Sequence, residues 1–308
     1  MGIVVIGAVF VDIKGHPENQ FIPAGRNVGR VEHIHGGVCR NVAEDIANVE
    51  LRPTFVSLID HSGEGEDVIR KLNNHQVNTK YIRKTEDGMG TWLAIFGNDG
   101  DVVASISKRP NLQPICDILD EQGDEIFRDA DSVVVEIDMD KEIIKRVFKL
   151  AKKYDKKVYA MVSNMSIAVE RRDFLQQTAC FICNQQEAGI LFSDNYAEKN
   201  AQELQDILAE KVILAKIPSM IVTMGAQGAV FATMEGASGY CPARKVNVKD
   251  TTGAGDAFCA GAAIGLTYGK NLAEACQIGA HLAASVIITS ENVCPRFLPA
   301  ELGLDVEM

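Results

Sequence analysis

Apolar residues arrive along the chain in short blocks that follow two periods. Runs at 3–10, 54–59, 132–137, 157–162, 180–183 and 220–223 are rich in Val, Ile, Phe and Cys and poor in charge, as expected of strands buried on both faces. Between them, Val38, Val42, Ile46 and Val49 recur at helical spacing. So do Ile143, Ile144, Val147, Phe148 and Ala151, and again Leu204, Ile207, Leu208 and Val212. Strands alternating with helices predict parallel βαβ units covered on both faces. Two small-residue helical stretches, 254–266 and 272–289, close the pattern.

Two segments break the alternation. Segment 12–35 holds Gly15, Pro17, Pro23, Gly25 and Gly29, then the alternating Val31-Glu32-His33-Ile34-His35. Segment 90–107 has β-like runs at 91–96 and 102–106 flanking Gly97-Asn98-Asp99-Gly100, a good hairpin turn. Together they predict a small antiparallel sheet serving as a lid over an active site, and a lid can also be the contact of a homodimer. His33 and His35 fall on one face of that sheet and read as lid surface. With no repeat, low-complexity tract or linker, one domain spanning 1–308 with lid segments at about 12–35 and 90–107 is the economical organisation.

Composition narrows the function. The 308 residues carry a net charge of −11, which disfavours nonspecific nucleic-acid binding because phosphate neutralisation needs clustered Lys and Arg. No run of apolar residues is long enough to span a membrane, and the apolar opening reads as a buried strand rather than a signal peptide. The eight cysteines lie mostly isolated in apolar surroundings, as expected of reduced core thiols in a cytoplasmic protein. Cys180 and Cys183 form a lone CxxC inside a strand-like run, so a core role is preferred to zinc or redox chemistry.

Candidate chemistry gathers in four loops. Asp250-Thr251-Thr252-Gly253-Ala254-Gly255-Asp256 is a polar, glycine-broken turn leading into a small-residue helix. Such a turn offers the N–H groups of Gly253, Ala254 and Gly255 at a helix N-terminus, where the macrodipole favours an anion, and sets Asp256 beside them. An anion cradle next to an acid–base group is what phosphoryl transfer to a hydroxyl needs. Taken alone, the turn also reads as a capped helix with an acidic first turn. Gly36-Gly37-Val38-Cys39-Arg40-Asn41 lets backbone approach a ligand closely and supplies Asn41 as both donor and acceptor. Asp12 follows the first strand, where ligands of α/β sheets collect, and with Asn41 makes a sugar clamp. Asn184 and Glu187, three residues apart, share a helical face suited to hydrated Mg²⁺, or else form an N-terminal cap. Thr223-Met224-Gly225-Ala226-Gln227-Gly228 can contact nucleotide phosphates, or be a plain hairpin. Walker A, GxGxxG after the first strand, GxSxG and HExxH patterns are absent.

The early Gly36–Ala43 motif and the late Asp250–Asp256 motif, in this order with the 184–187 and 223–228 elements between them, resemble the PfkB (ribokinase-like) carbohydrate kinase family over essentially the whole chain. The resemblance implies a three-layer α/β/α fold with a mainly parallel central sheet, a small β-sheet lid, and ATP as donor. It implies Asp256 as catalytic base and Gly253, Ala254 and Gly255 as anion hole. Asn184 and Glu187 would place Mg²⁺ and phosphate, with Glu187 acting on the metal through water. Thr223, Gly225 and Gly228 would lie by the nucleotide, and Asp250 and Thr252 match positions that bind K⁺ in several relatives. Asp12, Asn27, Gly36, Gly37, Arg40 and Asn41 would form the acceptor site. Within the family, Asp12-Ile13-Lys14-Gly15, Asn27-Val28-Gly29-Arg30-Val31 and the Arg40 and Glu44 of the glycine motif are most similar to pseudouridine kinases. Ser107-Lys108-Arg109 stands where those kinases usually carry an Asn-Asp-Met-like element, and Met161 stands where they tend to have Pro. The expectation is therefore ATP-dependent phosphorylation of a small-molecule hydroxyl, pseudouridine first, with another nucleoside or a free sugar as the alternative. A sugar- or nucleotide-binding protein without catalysis is the reading from a different class.

Overall fold

A computed structural model describes residues 2–98 and 102–306. Thirteen strands are described: β1 (Ile3–Ile6), β2 (Phe10–Pro17), β3 (Gly29–Gly36), β4 (Thr54–Ile59), β5 (Ile82–Lys84), β6 (Gly90–Phe96), β7 (Val102–Lys108), β8 (Ser132–Glu136), β9 (Val158–Met161), β10 (Cys180–Asn184), β11 (Ser219–Thr223), β12 (Ala229–Thr233) and β13 (Ser238–Cys241). Nine form one sheet in the order β13-β12-β11-β10-β9-β8-β1-β4-β5. Its pairs from β5 to β11 are parallel, and β12 and β13 are added antiparallel at one edge.

Alternation along each strand divides the core in two. Val4 and Ile6 face one layer and Ile3 and Val5 the other; on β8, Val133 and Val135 oppose Val134. Helices Ile115–Arg128, Lys141–Lys153 and Ala201–Ala215 cover the first face. Helices Val38–Asn48, Ala254–Thr267 and Leu272–Ile287 cover the second. This is the three-layer arrangement predicted. Gly261, Gly265 and Gly279 let the last two of these helices approach closely, since a Cβ on Gly261 would sit 2.8 Å from the Gly279 backbone.

The remaining four strands form the lid sheet, ordered β3-β2-β6-β7. One expectation needs correcting here: the apolar run at 3–10 is not one strand. It breaks after Ile6, and β2 starts at Phe10 in the other sheet. Gly7 marks the departure, because any Cβ there would meet Cys39 at 2.5 Å. The lid also differs from the simple antiparallel expectation, since β2 and β6 run parallel. Asp99 and Gly100 of the expected hairpin turn lie outside the described residues.

The sheet order reverses at β1, with β4 on one side and β8 on the other. Ligands of open α/β sheets collect beyond the strand C-termini at such a switch point. There the chain leaves β1 for the lid and returns through β3 to the Val38–Asn48 helix.

Candidate active site

Asp256 sits in the first turn of the Ala254–Thr267 helix and accepts a 2.6 Å hydrogen bond from the Asn41 Nδ2. Asn41 lies in the first turn of the Val38–Asn48 helix, so two helix N-termini meet through this pair. Asn292 braces it from behind: its Nδ2 donates to Asn41 Oδ1 at 3.1 Å and to the His35 carbonyl at 2.8 Å. Burial pushes the Asp256 carboxyl up to about 6. The Asn41 amide and Arg40 pull it down, and Asp12 and Glu187 push it further up.

Gly253 caps the same helix at φ 81°, a conformation that favours glycine, and a Cβ there would lie 2.0 Å from the Asn292 carbonyl oxygen. The three-amide anion hole needs one correction. Ala254 N–H is turned back onto the Thr251 carbonyl at 3.2 Å. Gly255 N–H has no acceptor among the described residues, and the space at its Cβ is open. Of the three predicted amides, those of Gly253 and Gly255 are thus unengaged among the described residues, and that of Ala254 is not.

Asp12 belongs to the same site. A Cβ on Gly36 would lie 2.6 Å from the Asp12 carboxylate, so only glycine lets the two approach. Gly37, at φ 100°, packs equally closely on the Ala8 carbonyl. Burial raises the Asp12 carboxyl, while Lys14 and Arg40 oppose the shift.

Two residues of the expected acceptor set take other roles. Arg40 is 1% exposed, and its guanidinium donates to the Gly36 carbonyl at 3.0 Å, the His35 carbonyl at 2.9 Å, Asn41 and Glu44. Glu44, itself fully buried, is also approached by Lys71 at 3.3 Å and His75 at 3.6 Å. Arg40 therefore braces the glycine loop from inside instead of facing the crevice. Asn27 closes its own loop, accepting from Ile22 N–H at 2.8 Å and donating to the Ile22 and Gly25 carbonyls. β2 and β3 pair from Phe10↔Gly36 to Pro17↔Gly29, so Asn27 lies beyond the far end of that ribbon, roughly 20 Å along it from Asp12.

The residues expected on the nucleotide side line up along the C-terminal edge of the sheet. Asn184 and Thr223 are register partners at the C-terminal ends of β10 and β11. Asn184 and Glu187 form a capping box, each side chain bonded to the other's backbone N–H at 2.8 Å. Burial raises the Glu187 carboxyl, and Asp138 adds to the rise. Gly225 and Gly228, both at positive φ, turn β11 into β12, so this element is a hairpin at the edge of the site. Asp250 accepts from Thr252 N–H at 2.9 Å; burial acts to raise its carboxyl, but the bonds from Thr252, the Lys14 charge and a bond from Thr251 N–H together make the net shift downward.

Two acids escaped the sequence reading. Glu136, at the end of β8, is buried and accepts from Cys39 N–H at 3.1 Å and Ala8 N–H at 3.4 Å. Burial, and then Asp138, push it up to about 8. Asp138 accepts from Ser163 N–H and Oγ and from Asn164 N–H, with Arg109 Nη2 3.9 Å away. Glu136 was hidden in an apolar strand pattern, and Asp138 follows just beyond that run. An acid at the C-terminal end of a buried strand was the available signal.

Among the described residues, no group of three or more His, Cys, Asp or Glu side chains is arranged to hold a metal. Cys180 and Cys183 are buried on opposite faces of the sheet, one in each half of the core, so the CxxC cannot share a ligand. Among the described residues, no helix is long and apolar enough to cross a membrane.

Comparison with known proteins agrees with this geometry. The profile of the pfkB family carbohydrate kinases matches residues 2–299. Guanosine-inosine kinase of Exiguobacterium acetylicum is 33% identical, covering 97% of this chain and 98% of the relative. Pseudouridine kinase of Escherichia coli (strain K12) is 24% identical, covering 88% and 86%. The structure of Arabidopsis thaliana ribokinase complexed with ribose and ATP superposes with a TM-score of 0.83 at 20% identity, covering 97% of each chain. The family match runs through both glycine-bearing loops and through Asp256, and the chain belongs to the pfkB family of carbohydrate kinases.

Proposed function

We propose that this phosphotransferase moves the γ-phosphoryl group of ATP to the primary hydroxyl of a nucleoside, with Asp256 as general base. The observation that carries the reading is the Asn41–Asp256 bond of 2.6 Å, beside the open Gly255 end of a helix. A carboxyl near 6 is ionised at neutral pH yet basic enough to take a hydroxyl proton as the oxygen attacks. The acceptor oxygen forms a bond to the γ-phosphorus and the bond from that phosphorus to the β–γ bridging oxygen breaks. Its electron pair leaves with ADP, and the proton goes to Asp256. The Gly255 N–H and the helix dipole stabilise negative charge on the group in transit. Asp12 and Asn41 hold the sugar hydroxyls in line, which supplies orientation.

Glu187 has the position and charge to hold a largely hydrated Mg²⁺ through water, which would neutralise phosphate charge. Asp250 and Thr252 are the residues that would border a K⁺. The lid sheet excludes water from the site. Its outer face carries exposed Val31 and Ile106, which we read as a homodimer contact, and the surroundings of the enzyme as the cytoplasm.

For the acceptor, the 33% identity to guanosine-inosine kinase over nearly full length favours guanosine or inosine. The likeness to pseudouridine kinases leaned on Arg40 and Glu44, a buried pair that braces the glycine loop and so says little about the base. ADP release measured across guanosine, inosine, adenosine, pseudouridine and ribose tests this reading. Fastest turnover with guanosine or inosine supports it; a response to ribose with none to any nucleoside overturns it.

A further inference from the structure

The inner face of the lid carries a row of three residues. Asp12 on β2 is the register partner of Trp92 on β6, and Trp92 is the register partner of Ser107 on β7. Register partners in a sheet project to the same side, so the three side chains stand in line across neighbouring strands. Two observations place that side toward the site. A Cβ on Gly36, which opens the loop to Asn41, would lie 2.6 Å from the Asp12 carboxylate. The exposed apolar residues Val31, Leu93 and Ile106 stand at the alternate positions, on the outer face.

Aromatic rings gather on the same inner face. Phe96, two side chains farther along that face of β6, meets Trp92 edge to face, with ring centroids 6.3 Å apart and planes at 88°. The Phe96 ring is in turn stacked on His16 at 4.8 Å and 13°. These contacts hold the indole in one orientation beside Asp12. Trp92 itself is half-buried, which leaves flat apolar ring surface for a ligand. Neighbouring strands lie about 4.8 Å apart, so the row from Asp12 to Ser107 covers about 10 Å. That is the span of a nucleoside from its ribose hydroxyls to the far edge of its base. A free pentose would occupy only the Asp12 end.

We propose that the nucleobase of the acceptor stacks on Trp92 while Asp12 holds the ribose, so that Trp92 sets the preference for a nucleoside over a free sugar. This rests on the nucleoside-kinase reading above and names the group that recognises the base. Stacking on an indole selects bases as a class, because every base offers a π-face. A pentose offers none.

Trp92 is the sole tryptophan of the chain, so fluorescence excited through indole reports on this one ring. Titrating the wild type with inosine should change the emission saturably, and ribose should leave it unmoved. Emission unmoved by inosine, or moved equally by ribose, overturns the contact. This arm needs no variant. In the second arm, Trp92→Leu keeps apolar bulk and removes the flat ring. Its inosine KM should rise about 5–150-fold, the usual worth of one base–aromatic stack, with kcat within about threefold of wild type. Trp92→Phe, which keeps a ring, should recover most of that loss. An inosine KM for Trp92→Leu within about twofold of wild type, or a loss confined to kcat, overturns the role. A wild type that turns over ribose and no nucleoside sinks the functional reading, whereas a wild type active on inosine with an equally good Trp92→Leu sinks only Trp92.

Discussion

Asn41 and Asp256, 215 positions apart, are joined by a 2.6 Å hydrogen bond that locks two helix N-termini together at the mouth of the crevice. The bond also tunes the acid. Burial raises Asp256 to about 6, and the Asn41 amide, which stabilises the ionised form, keeps it from rising further. A base must be deprotonated to act, so kcat should fall as pH drops through about 6 and level off above it. Asn41→Ala should move that limb to higher pH. A pH profile of kcat at saturating substrate checks both; a limb unmoved in Asn41→Ala would break the link.

Glu136 makes an opposite kind of prediction, about stability. Its folded-state value, about 8, lies above its ordinary 4.5. A raised carboxyl favours folding while protonated, so its contribution is fully present below about 4.5 and is lost as pH rises through about 8. Glu136→Gln, which cannot ionise, should flatten that part of the curve. Thermal midpoints of both proteins across this range test it: the wild type should lose more stability than the variant as pH rises.

The two glycines of the late loop should separate cleanly. Gly253→Ala faces both a positive φ and a 2.0 Å approach to the Asn292 carbonyl oxygen, and should cost at least about 1–3 kcal/mol. Gly255→Ala meets open space within an ordinary helix and should be neutral or slightly stabilising. Denaturant midpoints of the two variants decide this, and equal losses would contradict the cap geometry.

Arg40 should matter to the fold more than to the acceptor. It and Glu44 are 1% and 0% exposed at their side chains, and breaking such a pair from one side costs about 3–5 kcal/mol. Arg40→Leu should show that loss in urea unfolding with a smaller change in nucleoside KM. Normal stability with a large KM increase would return Arg40 to the acceptor site.

Much of this was legible in the sequence, for definite reasons. Strand and helix periods differ, so the alternating layers could be read directly, and the glycine loops announced themselves because backbone must approach closely there. Side-chain direction could not be read. Arg40 and Glu44 sit four apart on a helix, which says that they touch but not that they point inward. Asn27 follows a stretch rich in turn residues, and only the ribbon register shows that it lies beyond the far end. The strand break at Gly7 was invisible because the apolar run continues through it, and the deciding contact, Cys39, is far away in sequence. Glu136 was hidden for the same reason: its partners Ala8 and Cys39 are brought together only by the fold.

Turnover of Asp256→Asn against wild type, with ATP and guanosine or inosine, tests the central claim most directly. The substitution keeps the shape of the side chain and removes the base. A fall in kcat of about 10²–10⁴-fold with ATP affinity little changed is the predicted result. Turnover within a few-fold of wild type would contradict the assignment of Asp256 as the group that takes the hydroxyl proton.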